Sequence, residues 1–325
     1  MKKIEKKHEK IDIVICLDKG FVLPTGVLIY SICVNNPDVD IDFHLVIDDS
    51  LTGKDKKDLL ETCSQFAEKK VILYDVDISL FPNFPLKNSD RLPRAAYYRL
   101  FLTDILPDTI DKVLYLDGDI IVRHSIIPLW QTNLNGYAVG VTIDSDEGTI
   151  EKYNRLRYPN QKSYFNSGVM LINLEYWRKN DVKRDFLDYL SKYSERIILA
   201  DQDILNVIFQ DNKLSIPIKY NFQTGFFKKT PLWDYWKFEE EFKEGLKDPV
   251  IVHFAANHPW NAYSRDPHPY RSTFYKYQCR TKWNNIKIER RSLIEIIRNC
   301  VRDFLVKIKF IAPIPSNYID VTPID

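Results

Sequence analysis

The chain has 325 residues, 45% hydrophobic and 28% charged, with a net charge of +1. That balance supplies a sizeable core and excludes a disordered chain, and near-neutrality excludes a wholesale basic coat for nucleic acid. No apolar run approaches the ~18 residues a membrane helix needs. The opening MKKIEKKHEK is polar, and the IVICL run after it is too short for a signal-peptide core, so a cytoplasmic protein is expected. Cys16, Cys33, Cys63, Cys279 and Cys300 are dispersed and odd in number. They read as small apolar fillers, not as a disulfide framework or a thiolate zinc site.

The first two-thirds alternates strand-like and helix-like pieces. Residues 11–17 form an apolar run closed by Asp18-Lys19-Gly20, and 25–34 read as a helix ended before Asn36-Pro37. Strands are expected at 41–47 and 71–76, with a helix over 54–66 between them. A helix over 94–106 stops at Pro107, and short apolar pieces at 112–116 and 120–122 flank Asp117-Gly118-Asp119. Strands at 138–143 and 168–173 and helices at 182–190 and 203–209 follow. Near-continuous apolar strands in β-α-β order predict an α/β fold with a parallel sheet. In such sheets ligands bind beyond the carboxyl ends of the strands. The polar residues there are Asp18, the Asp117–Asp119 pair, Asp144, and His253 after the apolar run 249–252.

The strongest local signal is the acidic pair between two apolar strands. Residues i and i+2 of an extended chain point the same way, so Asp117 and Asp119 can reach one hard divalent cation. Gly118 between them permits an unusual turn and close approach of a ligand. Two acids in an ordinary Asp-Gly turn are the plain alternative. His253 is either a satisfied core histidine or a third ligand, and an imidazole beside two carboxylates favours Mn²⁺ over Mg²⁺. Asp201 or Gln202 reads as a helix N-cap, Asn166 as a turn residue at a strand entry, and Arg99 as half of a salt bridge. The aromatic stretch 222–236 (Phe222, Phe226, Phe227, Trp233, Tyr235, Trp236) is either packing or a platform for sugar faces.

Residues 276–310 carry ten Lys/Arg against three acids. Within them Leu293, Ile297, Val301, Phe304, Leu305 and Ile308 recur three or four apart, with Arg291, Arg298, Arg302 and Lys309 mostly on the other side. That is a basic amphipathic helix over 290–310, suited either to docking on the domain or to an anionic membrane surface.

Six segments, taken in order, resemble the family 8 glycosyltransferases, the retaining GT-A-fold group that contains bacterial lipooligosaccharide galactosyltransferases and glycogenin. They are Ile11-Asp12-Ile13-Val14 with Asp18; Ala96-Tyr97-Tyr98-Arg99-Leu100; the run from Lys112 through Asp117-Gly118-Asp119; Phe165-Asn166-Ser167-Gly168 through Leu174; Asp201-Gln202-Asp203 through Asn206; and His253-Phe254 with His258-Pro259-Trp260. The resemblance covers residues 11–262. It implies a GT-A (Rossmann-like) mixed sheet flanked by helices, with residues 1–275 as the catalytic domain and 276–325 as a basic C-terminal extension.

By the same resemblance, Asp117, Asp119 and His253 would hold Mn²⁺, with Mg²⁺ as second choice, on the diphosphate of a UDP-hexose. Cys16, Asp18, Arg99, Gly118 and His258 would contact the donor, and Gln202, Asp201, Asp144 and Asn166 would surround the reacting sugar. The implied reaction moves galactose or glucose, with retention, to a glycan, glycolipid or glycoprotein hydroxyl. Two departures stand out. The family's His-x-x-Gly-x-x-Lys-Pro-Trp segment is one residue shorter here, with Ala256 for the Gly and His258 for the Lys, and Lys19-Gly20 follows Asp18 where relatives often read the nucleotide. A scaffold that binds sugar nucleotides without turning them over is the second reading. A sugar-phosphate nucleotidyltransferase is the third, and it lacks its Gly-rich, cationic loop after strand one.

Overall fold

The computed structural model describes residues 10–77, 95–146, 150–159, 162–229, 235–255, 258–260, 267–285, 293–309, 316–321 and 323. Ten strands are found among them: β1 (Lys10–Leu17), β2 (Asp40–Ile47), β3 (Lys69–Asp75), β4 (Lys112–Leu116), β5 (Ile120–Val122), β6 (Val139–Ile143), β7 (Phe165–Asn173), β8 (Lys213–Ser215), β9 (Phe222–Gln223) and β10 (Ile251–His253). Seven make one sheet in the order β3-β2-β1-β4-β7-β6-β8, and β5-β10-β9 make a small second sheet.

The main sheet is mixed, as the resemblance implies, and not wholly parallel. β7 pairs antiparallel with both β4 and β6, while the other pairings in that sheet are parallel. Burial explains why the periodicity missed this. β7 is buried on both faces along nearly its whole length, so its apolar run carries no mark of direction.

Alternation along β1 shows how the sheet is covered. Ile11, Ile13, Ile15 and Leu17 face a core completed by the helix Val22–Asn35, whereas Val14 and Cys16 face a core completed by the helices Val182–Tyr193 and Ala200–Ile208. A third, aromatic core under the small sheet joins Phe222, Phe226, Phe227, Phe254, Tyr270, Phe274 and Tyr318. Phe222, Phe226 and Phe227 are almost fully buried there, which settles them as packing rather than a sugar platform. Trp233 and the side chains of Tyr235 and Trp236 lie outside the described residues.

Helix bounds shift where side chains intervene. The expected helix over 54–66 is Gly53–Leu60, opened by a reciprocal Thr52–Asp55 capping box. The expected helix over 94–106 is broken into Ala95–Tyr98, a 3₁₀ turn Arg99–Phe101 and Leu102–Ile105. The break coincides with Arg99, whose buried Nε turns back onto the Ala96 carbonyl (3.0 Å). Cys16, Cys33 and Cys63 are buried fillers as expected, while Cys279 is exposed.

The basic helix runs Leu293–Lys307, and Arg290, Arg291 and Phe310 lie outside the described residues. Packing does not break at residue 275. Trp283 sits over Gly26, so close that a Cβ there would overlap its ring, and Tyr318 bridges to Lys228 and packs in the aromatic core.

Candidate active site

The site forms where β4 ends and β7 is shared between two neighbours. β7 pairs with β6 through Met170, then again only from Asn166, so the register slips by several residues. In that slip Val169 pairs with Leu116, and the Asp117 amide donates to the Gly168 carbonyl (2.8 Å). Asn166, Ser167 and Gly168 are thereby delivered beside the acidic pair. A bulge at such a position re-aims side chains.

Asp117 and Asp119 converge as the i, i+2 spacing predicts, and β10 supplies His253. His253 Nε2 lies 3.3 Å from Asp119 Oδ1 and 3.9 Å from Asp117 Oδ2. The three residues bring one ligand atom each within 4.8 Å of one another. Gly168 makes this convergence sterically possible, because a Cβ there would lie 2.2 Å from His253 Cε1 and 2.8 Å from Asp117 Oδ2. Gly118 plays a different part from the one expected. Its φ is not left-handed, and a Cβ would lie 2.9 Å from the Phe21 ring, so it makes room for the Phe21 side chain rather than for an unusual turn.

Arg99 is the cation between carboxylates. Its Nη2 donates to Asp117 Oδ1 (2.7 Å), its Nε lies 3.2 Å from Asp201 Oδ2, and its Nη1 donates to the Ser167 carbonyl (2.9 Å). The guanidinium covers the Tyr115 ring at 4.3 Å, and the Tyr115 hydroxyl donates to Asp117 Oδ1 (2.9 Å). Arg99 is thus buried in full ionic pairing.

His258 Nε2 lies 3.1 Å from the other Asp119 oxygen, and its ring stacks on Trp260 (4.6 Å, 8°). Burial alone would raise the Asp119 carboxyl, yet the two histidines hold it far below the usual carboxylate range. Burial likewise opposes charge on His253, and Asp119 outweighs it and moves the pKa upward. Burial pushes Asp201 up to about 6 against the pull of Arg99.

Asp201 and Gln202 do not cap their helix. Leu199 holds the N-cap position with no side-chain bond, and Asp203 Oδ2 accepts the Ile198 and Leu199 amides (2.8 Å each). Ala200, the first residue of the helix, takes a left-handed φ of 46°, a strained start that turns the next two side chains away from capping. Gln202 Nε2 donates to Asp144 Oδ2 (2.9 Å), and its Oε1 accepts the Ser167 amide (3.1 Å) and Asn166 Nδ2 (3.2 Å). Asn166 therefore belongs to this strand and network, not to a turn. Asp144 is steadied by the buried Lys152 at 3.7 Å.

Asp18 caps the turn Lys19–Phe21 by accepting the Gly20 amide (2.8 Å). The Cys16 thiol is buried beside Arg99, and burial pushes it up to about 12, which keeps it as the thiol. Sequence reasoning missed Tyr115, Ser167, Asn221 and Lys152. Ser167 could have been found, since its Oγ donates to Asp201 (2.9 Å) from within the quoted 165–174 segment. Tyr115 stands in the 112–119 run two residues before Asp117, whereas Asn221 and Lys152 give no local sign.

Residues 12–264 match the family model described as glycosyl transferase family 8. The chain is 30% identical to general stress protein A of Bacillus subtilis (strain 168), over 86% of this chain and 97% of that protein. It is 29% identical to a lipopolysaccharide 1,2-glucosyltransferase of Escherichia coli, over 85% and 86% respectively. A crystal structure of galactosyltransferase LgtC in complex with donor and acceptor sugar analogs superposes with a TM-score of 0.73 at 26% identity, covering 84% of this chain and 96% of that one.

Proposed function

The chain belongs to glycosyl transferase family 8, and we propose that it transfers glucose or galactose from a UDP-sugar, with retention of configuration, to a hydroxyl of a cell-envelope glycan or lipid-linked acceptor. The observation that carries this reading is the junction of two groups: the converging Asp117, Asp119 and His253, and the Asp144–Asn166–Asp201–Gln202 network joined to them through Arg99.

The donor set fits a divalent cation of the Mn²⁺ type, with two carboxylates and an imidazole whose Nε2 faces them. When bound, the ion neutralises charge on a diphosphate. Arg99 holds Asp117 and Asp201 in place around it. Gln202 has both carbonyl lone pairs engaged by Ser167 and Asn166, and an amide so engaged is a poor nucleophile. That favours attack on the face the UDP leaves from. The acceptor oxygen bonds to the anomeric carbon as the bond to phosphate breaks, and the acceptor proton passes to the departing diphosphate. Asp201 and Asp144 would stabilise positive charge on the sugar ring as it develops. Asp18 and the β1 backbone around Cys16 would meet the uridine, and His258 and Gly118 would border the diphosphate.

The helix Leu293–Lys307 supports a place at the inner membrane surface. Ile297, Val301 and Phe304 are each more than half exposed along one stripe, continued by Ile308, and Arg298 and Arg302 lie beside it. No helix among the described residues is long and apolar enough to cross a membrane. Phe304→Asp should lower co-sedimentation with vesicles rich in anionic lipid several-fold and leave UDP release unchanged. Equal binding by both proteins would remove the membrane role.

The deciding test of the enzyme is UDP release from UDP-glucose and UDP-galactose with Mn²⁺, with EDTA and Asp119→Ala as controls. Metal-dependent release names the hexose. UDP binding without release would instead support the binding scaffold, with the shortened 253–260 segment as its cause.

A further inference from the structure

Asn221 lies between the two halves of the site and has no part in the reaction as described above. It closes the 3₁₀ turn Ile218–Tyr220, just before β9, and its side chain is fully buried. β9 pairs in parallel with β10, which sets Asn221 beside His253. Its Oδ1 is 3.0 Å from His253 Nδ1, and its Nδ2 is 3.0 Å from Asn166 Oδ1.

The polarity of this chain of bonds is fixed by groups that cannot reverse. The Gly168 amide can only donate, and it donates to Asn166 Oδ1 (2.9 Å). Asn166 must therefore turn its Nδ2 toward Asp144 Oδ2 (3.3 Å) and Gln202 Oε1. Its Oδ1 then accepts from Asn221, so Asn221 must present its own oxygen to His253. His253 is obliged to donate from Nδ1, so Nε2 is the ring nitrogen turned toward Asp117 and Asp119 and the one that would offer its lone pair to a bound cation. One buried amide thus sets the tautomer of a metal-ligand candidate and the orientation of a sugar-side amide together.

We propose that Asn221 is a positioning residue that orients both halves of the site through two separate bonds, holding His253 for the metal half and Asn166 for the sugar half. The inference rests on the UDP-sugar reading, and two variants separate its arms. Asn221→Leu removes both bonds. Asn221→Asp still accepts from His253 but sets a carboxylate oxygen against Asn166 Oδ1.

The experiment titrates Mn²⁺ by calorimetry in the presence of UDP, and measures the affinity ratio of UDP to UDP-glucose and to UDP-galactose, with thermal melts as a folding check. In Asn221→Leu the Mn²⁺ dissociation constant should rise by about 10–100-fold, the range typical for partners of ligating histidines. In Asn221→Asp it should stay within about threefold of the native protein. The Asp variant should still lose about tenfold in its preference for the sugar nucleotide over UDP.

Equal loss on both arms in Asn221→Asp overturns the proposal, and that split still decides if the Leu variant fails to fold. Lowered melting temperatures with unchanged affinities also overturn it, since they describe a purely structural amide. If the native protein binds no Mn²⁺ with UDP, the metal reading falls and takes this inference with it. If the native protein binds and Asn221→Leu binds equally well, the inference alone fails.

Discussion

Asp117, Asp119 and His253 bring their ligand atoms within 4.8 Å of one another, and so do Asp12, Asp42 and His44. The residue types are the same and the surroundings differ. At the second cluster Lys10 bridges Asp12 (3.3 Å) and Asp42 (2.8 Å), and Lys70 adds a contact to Asp42 (3.1 Å). His44 has both ring nitrogens engaged, one by Asp12 (2.8 Å) and one by the Tyr74 hydroxyl (3.0 Å). Its acids and its imidazole are thus satisfied by the protein itself. At the first cluster Arg99 holds one oxygen of Asp117, while the second faces His253 across a gap of 3.9 Å. On the proposed reading, two acids and a histidine suit a cation where their charge is left for a ligand to neutralise.

The sharpest break in this contrast is Asp119→Ala, which should lower Mn²⁺-dependent UDP release by about 10³-fold or more. Native-level release would move the chemistry elsewhere. Gly168→Ala should weaken Mn²⁺ binding by at least about tenfold, because the added methyl displaces His253, and unaltered calorimetric affinity would refute that geometry.

Asp201 supplies the pH dependence. Its folded pKa of about 6 stands above the ordinary carboxylate value, so the carboxylate proposed to balance sugar charge is mostly ionised at pH 7 and mostly protonated at pH 5. Turnover should rise about tenfold between those values. Asp201→Asn should remove that leg from the rate profile, and a leg that persists must be given to another group. Ionisation here also disfavours the folded state as pH rises from about 4 to 6, the reverse of a salt-bridged acid with a lowered pKa.

The smallest effect belongs to the second cluster. Asp12→Asn should lower the melting temperature by about 2–4 °C and leave Mn²⁺ affinity untouched. Lost metal binding would erase the distinction between the clusters.

The two clusters also show what a sequence can and cannot display. Asp117 and Asp119 were legible because apolar strands flank them and the i, i+2 spacing is local. His253 was legible only as a polar residue after an apolar run, since its partners lie over a hundred residues away. Asn221 and Lys152 lie in segments with no periodic signal, and their roles come from buried contacts that only the fold brings together. The parallel reading of β7 failed because burial on both faces leaves direction unmarked. The capping read at Asp201 and Gln202 failed because Asp203 takes the loop amides and Ala200 bends the chain, and neither shows in propensity.

The anchoring of Trp283 and Tyr318 in the core has a consequence for reach. The basic helix lies within a closed loop of chain, not on a free tail. A surface that captured it would hold the cleft within one loop's span, and an acceptor on that surface would be met at a high effective concentration. Cutting the loop once, on either side of the helix, would lengthen the leash and dilute that encounter without touching a single residue of the cleft.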